Sequence, residues 1–184
     1  EAEESILSMV KAFVIALLLI YFILGSLFRS FLQPFVVLLA IPFAIDGVII
    51  GHLVMGRTLS TLSLLGLVAL SGVVVNDSLV LVSYINTLRE EGVELFEAIV
   101  QAGKIRFRPI LLTSITTITG LSPLAFFATG QAKFLSPMAI ALVWGLAFST
   151  LLTLLIIPCF YAVAEDGKRR LFPSTSKAPL HHET

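Results

Sequence analysis

Charge is scarce in this chain. Only 13% of its 184 residues are Asp, Glu, Lys or Arg, against 57% hydrophobic residues. A soluble domain of this size could not cover so much apolar surface with polar side chains, which excludes an ordinary globular domain. The 12 basic residues balance the 12 acidic ones, so no surface for nucleic acid is implied. Cysteine is almost missing. Cys159 stands alone, so no intrachain disulfide can form and the redox compartment is not indicated. Methionine is confined to Met9, Met55 and Met138, too scattered to mark a soft-metal pathway. No nucleophile–base pair and no metal-ligand cluster stands out, so no enzyme, cofactor or metal site is expected. No basic segment followed by a short apolar core opens the chain, and residue 1 is Glu. It reads as a piece of something longer.

Long apolar runs are abundant. A spanning helix needs roughly 20 predominantly apolar residues, and five segments qualify or nearly so: about 12–28, 31–55, 59–85, 109–128 and 134–164. These make residues 1–165 an all-α membrane domain, a bundle of five transmembrane helices. Between the third and fourth spans, Val93, Phe96, Ile99 and Val100 recur at helical spacing between Gly92 and Gly103, with Glu94, Glu97 and Gln101 elsewhere around the helix. This pattern predicts a short amphipathic helix over about 93–103 at the cytoplasmic interface. Residues 166–184 read as a cytoplasmic, disordered tail, and His181 and His182 within it as solvated rather than metal-binding. Pro34, Pro109 and Pro137 suit the first turns of spans, whereas Pro42 and Pro123 are interior and should kink or open their helices.

Against this background the stretch "GVVVNDSLV" (residues 72–80) stands out. Leu62, Gly66, Ala69, Val73, Asn76, Asp77, Val80 and Tyr84 fall in one helical stripe, whose small residues would admit a second helix. A carboxylate at mid-membrane costs about 2.5–3.5 kcal/mol on insertion scales, while an interhelical hydrogen bond returns only about 0.6 kcal/mol on average. Interhelical glue is therefore a weak reason to keep Asp77, and a protonatable relay the better one. The fourth span offers partners in Thr113, Ser114, Thr116, Thr117, Thr119 and Ser122. Of these, Thr113, Thr116 and Thr117 share a face with Gly120. Hydroxyls donate to a carboxylate and accept from its protonated form. Asp46, on the second span, is another intramembrane acid and a possible accessory.

These residues carry a resemblance. The segments "SFLQPFVVLLAIPFAIDGVIIGH", "LSLLGLVALSGVVVNDSLVLVSYIN", "REEGVELFEAIVQAGKIRFRPILLTSITTITGLSPL" and "LIIPCFYAV" resemble, in order and spacing, the carboxyl-terminal membrane half of resistance–nodulation–division (RND) efflux transporters. The resemblance implies spans eight to twelve of a twelve-span, proton-driven permease of the bacterial inner membrane. It implies as partners the missing amino-terminal repeat, the periplasmic porter domains and membrane lipid. A homotrimer is implied for the full-length protein, and a periplasmic adaptor and an outer-membrane channel if it is a Gram-negative drug pump. The proton site of the family uses paired Asp residues on the fourth span of the first repeat, which this chain lacks, and "GVVVNDSLV" looks like the repeat-related copy. Well-known multidrug members have Lys where this chain has Asn76 and Asn where it has Asp77, so their switch does not transfer unchanged. Thr113 matches a relay threonine and Arg106 a functionally implicated arginine. Asp46 falls where an apolar residue is expected.

The resemblance implies export of drugs or other amphiphiles, with a protein-translocation auxiliary or a heavy-metal exporter as alternatives, and the isolated fragment inactive. Orientation follows from Lys and Arg. With the carboxyl terminus cytoplasmic, Arg29, Arg89, Lys104, Arg106, Arg108, Lys168, Arg169, Arg170 and Lys177 lie inside, and only Lys11, Arg57 and Lys133 outside. The amino terminus is then periplasmic. In the full-length protein, a cysteine at Arg57→Cys should react with a membrane-impermeant reagent from outside, and one at Lys104→Cys only from inside. Labelling of both from one side rejects this topology.

Overall fold

The computed structural model describes residues 2–171, all of whose long elements are helices. They are α1 (Ala2–Phe28), α2 (Leu32–Leu38), α3 (Ala40–Val54), α4 (Thr61–Glu90), α5 (Leu95–Phe126) and α6 (Ser136–Leu171), with a 3-10 turn over Gly130–Leu135 before α6. Five stretches are long and apolar enough to cross a membrane: Ile6–Phe28, Leu32–Val54, Thr61–Glu90, Leu95–Phe126 and Gly130–Val163. The expected five-span bundle is therefore present.

Proline chemistry meets one expectation and departs from another. Pro42 was expected to open its helix. The second span is broken at Leu39 into α2 and α3, because Pro42 has no N–H to donate to the carbonyl of Leu38, four residues back. Pro109, by contrast, does not start a span. α5 runs unbroken from Leu95 to Phe126 with Pro109 and Pro123 inside it. The separate helix expected over 93–103 is therefore the first part of α5. A continuous helix leaves one carbonyl without its partner at Pro109, whereas a break would leave several, and apolar surroundings penalise each. The predicted stripe also shifts. Ala98 and Ala102 are the buried residues of this stretch, while Phe96 is 75% exposed. α4 stops at a tight turn in which Gly92 takes φ +88°, a left-handed conformation that favours glycine. α6 continues to Leu171, past the point where a tail was expected to begin. The rest of that tail, with His181 and His182, lies outside the described residues.

α6 is the centre of the bundle, packing on α3, α4 and α5. The core joins Val37 of α2 and Ala40, Ala44 and Val48 of α2–α3 to Leu70, Val74, Leu81 and Ile85 of α4 and to Ala141, Leu146 and Ile157 of α6. α1 is peripheral, and Leu18, Leu19, Phe22, Ile23 and Leu27 on it are exposed. In lipid, packing rather than water exclusion drives helix association, and small residues let backbones meet. Gly47 and Gly51, four apart on α3, face Trp144, Gly145 and Phe148 of α6. A β-carbon added at Gly47 would lie 2.6 Å from Cβ of Phe148 and 3.0 Å from the carbonyl oxygen of Trp144. Neither atom is a flexible side-chain end, so the helices would have to separate.

Gly47→Ala in the full-length protein should therefore lower stability by about 1–3 kcal/mol, the usual cost of overpacking. Gly103, with open space around its Cα, is the control. Gly103→Ala should be neutral or stabilise by about 0.5–1 kcal/mol through helix propensity. Thermal melting in detergent distinguishes the two. Equal melting temperatures would mean that the α3–α6 approach is not a stabilising contact.

Candidate functional site

α4 begins with a reciprocal serine cap. The Ser60 side chain accepts from the Ser63 backbone N–H at 3.3 Å, and the Ser63 side chain accepts from the Ser60 N–H at 3.3 Å. From that start the helix buries Leu70, Val74, Leu81 and Ile85. The stripe expected to pack lies on the flank of this face. Gly66 is buried, but Ala69, Val73 and Asn76 are exposed and Asp77 is only half-buried. The bulky residues one position round the helix take the contact with α6, which leaves the polar pair at an open edge.

A small cleft of about 130 Å³ lies at that edge between α4 and α5. Val73, Asn76, Asp77, Thr113, Ser114, Thr117 and Leu146 line it. Four of the six residues proposed for the relay and its accessories (Asn76, Asp77, Thr113 and Thr117) therefore meet in one place. Ser114 and Thr150 close its back with a 2.8 Å hydrogen bond between α5 and α6. The threonine protons are already engaged. Thr113 Oγ1 donates to the Ile110 carbonyl at 2.9 Å and Thr117 Oγ1 to the Thr113 carbonyl at 2.8 Å. Their lone pairs remain, and a carboxylic acid can donate to these whereas a carboxylate cannot. A hydroxyl that turns from its carbonyl to a carboxylate would serve the other protonation state. Among the described residues, no hydrogen bond or ion pair joins Asp77 to another side chain.

The remaining predicted residues are elsewhere. Arg106 places its guanidinium 4.8 Å from the ring centroid of Tyr84, a cation–π contact, and its Nε is buried without a partner. Tyr84 lies seven residues beyond Asp77, and Arg106 seven before Thr113. This pair is thus about 10 Å along the helices from the cleft. Asp46 is exposed on α3 and does not line the cleft. Thr116 also stands outside it, and its hydroxyl donates to the Leu112 carbonyl at 2.8 Å.

Two polar clusters escaped the sequence reading. Gln33 Nε2 donates to Asn86 Oδ1 at 3.0 Å, Asn86 Nδ2 donates to Gln33 Oε1 at 2.8 Å, and Tyr161 OH donates to Asn86 Oδ1 at 2.6 Å. This ties α2, α4 and α6 together. His52 is buried, with Nδ1 donating to the Val48 carbonyl at 2.9 Å and Nε2 2.8 Å from Ser63 Oγ. His52 is a lone polar residue in the apolar run "VIIGHLVM". That was the available signal, because such a residue must find a partner on another helix.

Residues 1–165 match the AcrB/AcrD/AcrF family. The swarming motility protein SwrC of Bacillus subtilis is 37% identical over 171 residues, covering 92% of this chain and 16% of SwrC. The cobalt-zinc-cadmium resistance protein CzcA of Cupriavidus metallidurans is 35% identical, covering 88% of this chain and 16% of CzcA. The multidrug resistance protein MdtC of Proteus mirabilis is 31% identical, covering 91% and 16%. A crystal structure of a heavy metal efflux pump superposes with a TM-score of 0.79 at 28% identity, over 90% of this chain and 16% of that one. The chain spans about a sixth of the length of these relatives.

Proposed function

Because the chain belongs to the AcrB/AcrD/AcrF family of RND transporters, we propose that it is spans eight to twelve of a proton-driven exporter of drugs or other amphiphiles. In this reading it sits in the bacterial inner membrane with its amino end periplasmic. It works in a full-length homotrimer, with a periplasmic adaptor and an outer-membrane channel where the envelope has them. The observation that carries the proposal is the cleft that gathers Asn76, Asp77, Thr113 and Thr117 between α4 and α5.

The chemistry assigned to each residue follows from what it can donate or accept. Asp77 gains and loses the proton. Asn76 beside it offers both a donor and an acceptor, and so serves either state. Thr113 and Thr117 accept from the acid with their lone pairs, and reorient to donate to the carboxylate. Arg106, held against Tyr84, lies two turns away towards the expected cytoplasmic end and stabilises the exit by its fixed charge. Moving one charge through the membrane potential yields about 2.3 kcal/mol per 100 mV, enough to bias a packed bundle between two arrangements. Asp46 is left as an accessory acid outside this path.

A heavy-metal substrate is the second reading, favoured by the likeness to CzcA and to the heavy metal efflux pump. Among the described residues, no three His, Cys, Asp or Glu side chains converge as metal ligands, so a metal would be bound outside these residues. Cells carrying the full-length protein should gain tolerance to lipophilic cations rather than to zinc, cobalt or cadmium. The opposite result selects the metal reading.

Asp77→Asn in the full-length protein tests the relay itself. It removes titration but nearly keeps shape and hydrogen bonding. Expression and assembly should be normal, while export falls by about a hundredfold, the low end of what a positioned proton-transfer group contributes. Export at the wild-type rate across a pH series would instead make Asp77 a structural hydrogen-bonding residue.

A further inference from the structure

A second, wider cavity lies away from the cleft, at the ends of α1 and α4. It measures about 590 Å³, and its walls include Leu27, Arg29, Gln33, Ser83, Asn86 and Glu90. That volume is in the range of small-molecule sites, about 300–1,000 Å³. Its floor is prebuilt, since the reciprocal amide pair of Gln33 and Asn86 is anchored to α6 through Tyr161. A floor of this kind, with both amides already paired, does not collapse to fill the space.

The walls carry one charge of each sign. Arg29 and Glu90 both line the cavity, yet among the described residues no ion pair joins them. Arg29 also sits at φ +49°, just past the end of α1. This is the position where helices usually place glycine or asparagine, because a β-carbon is strained there. The chain keeps an arginine in spite of that strain. Depth adds a further constraint. Arg29 directly follows the apolar span Ile6–Phe28, and Glu90 is the last residue of the span Thr61–Glu90. The cavity is therefore level with the membrane boundary, where lipid headgroups lie. Beside it, Leu27 and Ile23 are exposed, 63% and 65%, one helical turn apart on α1, and offer an apolar track leading into the hydrocarbon.

We propose that this cavity binds the headgroup of a zwitterionic phospholipid with a primary amine, the phosphate on Arg29 and the ammonium on Glu90 and on Thr87, which lines the same wall one turn before Glu90. The acyl chains run along Leu27 and Ile23. Arginine matches a phosphate with a fork of donors. A primary ammonium has three N–H groups to give to a carboxylate and a hydroxyl, whereas a trimethylammonium has none. An anionic headgroup without an amine can offer the Glu90 carboxylate hydroxyl donors but no positive charge, so it forms no charge-assisted bond there.

The test is lipid retention by the full-length transporter, purified from an equimolar mixture of phosphatidylethanolamine, phosphatidylcholine and phosphatidylglycerol and read by native mass spectrometry. The wild type should retain the ethanolamine lipid over each of the others by about fivefold, the size of one partly solvated ion pair. Glu90→Gln should abolish the preference over phosphatidylcholine. Arg29→Gln should lower retention of all three, and Arg29→Lys should largely restore it, which separates loss of charge from misfolding. Equal retention of the three lipids by the wild type, absence of retained lipid, or a preference untouched by both variants overturns the proposal. Soluble phosphoethanolamine is the competing source of the same chemistry. If it displaces the lipid at equimolar concentration, the site is for a free metabolite and the lipid assignment fails.

Discussion

In hydrocarbon every peptide N–H and C=O must find its partner inside the protein, and most of this structure follows from that one demand. It selects helices for all five spans. It keeps α5 continuous through Pro109 and Pro123, where a soluble chain would be free to break and hydrate the ends. It also turns hydroxyls inward. Ser78, Thr117 and Ser122 each donate to the carbonyl four residues back, so that their protons are not left facing an apolar environment. The same demand acts on isolated polar side chains, which are forced to bridge helices: Gln33 with Asn86 and Tyr161, His52 with Ser63, and Ser114 with Thr150.

Against so consistent a pattern, the exceptions carry information. Asp77 and Asn76 lie within a span, yet no hydrogen bond joins Asp77 to another described side chain, and Asn76 is exposed at the open flank of the α4–α5 seam. Arg106 Nε is buried without a partner although its guanidinium is seated on Tyr84. These groups belong to the same two helices, at two levels about 10 Å apart. Trp144 Nε1 and Thr153 Oγ1 of α6 are also buried without a partner, but Asp77 and Arg106 are the charged groups among the exceptions.

The five-span architecture was legible because a run of about 20 apolar residues has few alternatives to a spanning helix. Gly92 and the break before Pro42 were legible for the same local reason, a backbone geometry that one residue type dictates. The start of α5 was not. Gly103 and Pro109 look like boundaries in isolation, and only the cost of unsatisfied carbonyls in an apolar medium overrides them. The site was half legible. The residue types of Asn76, Asp77, Thr113 and Thr117 identified themselves by being out of place, and they do converge. Which face of α4 is buried was misjudged, because small residues were taken to mark the contact when Leu70, Val74, Leu81 and Ile85 make it. The pairing of Gln33 with Asn86 joins residues 53 positions apart, a separation that no local pattern encodes.

The location of the cleft within the bundle bears on how a change of charge could do work. α3 and α6 meet backbone to backbone at Gly47 and Gly145, a contact with no slack for movement. α4 and α5 are each packed more extensively on α6 than on one another. The seam between them is therefore an interface where displacement disturbs less packing than it would against α6, and Asp77 and Thr113 sit on it. Loss of a proton there places a charge between two helices, and each hydroxyl beside it must leave a backbone carbonyl in order to donate. Those carbonyls belong to the first and second turns of the hydroxyl-rich part of α5, at Ile110 and Thr113. A change of protonation thus alters the internal bonding of α5 as well as its attraction to α4. In the proposed relay, the response would be directed along the α4–α5 seam, with the glycine-tight pair of α3 and α6 as the fixed frame.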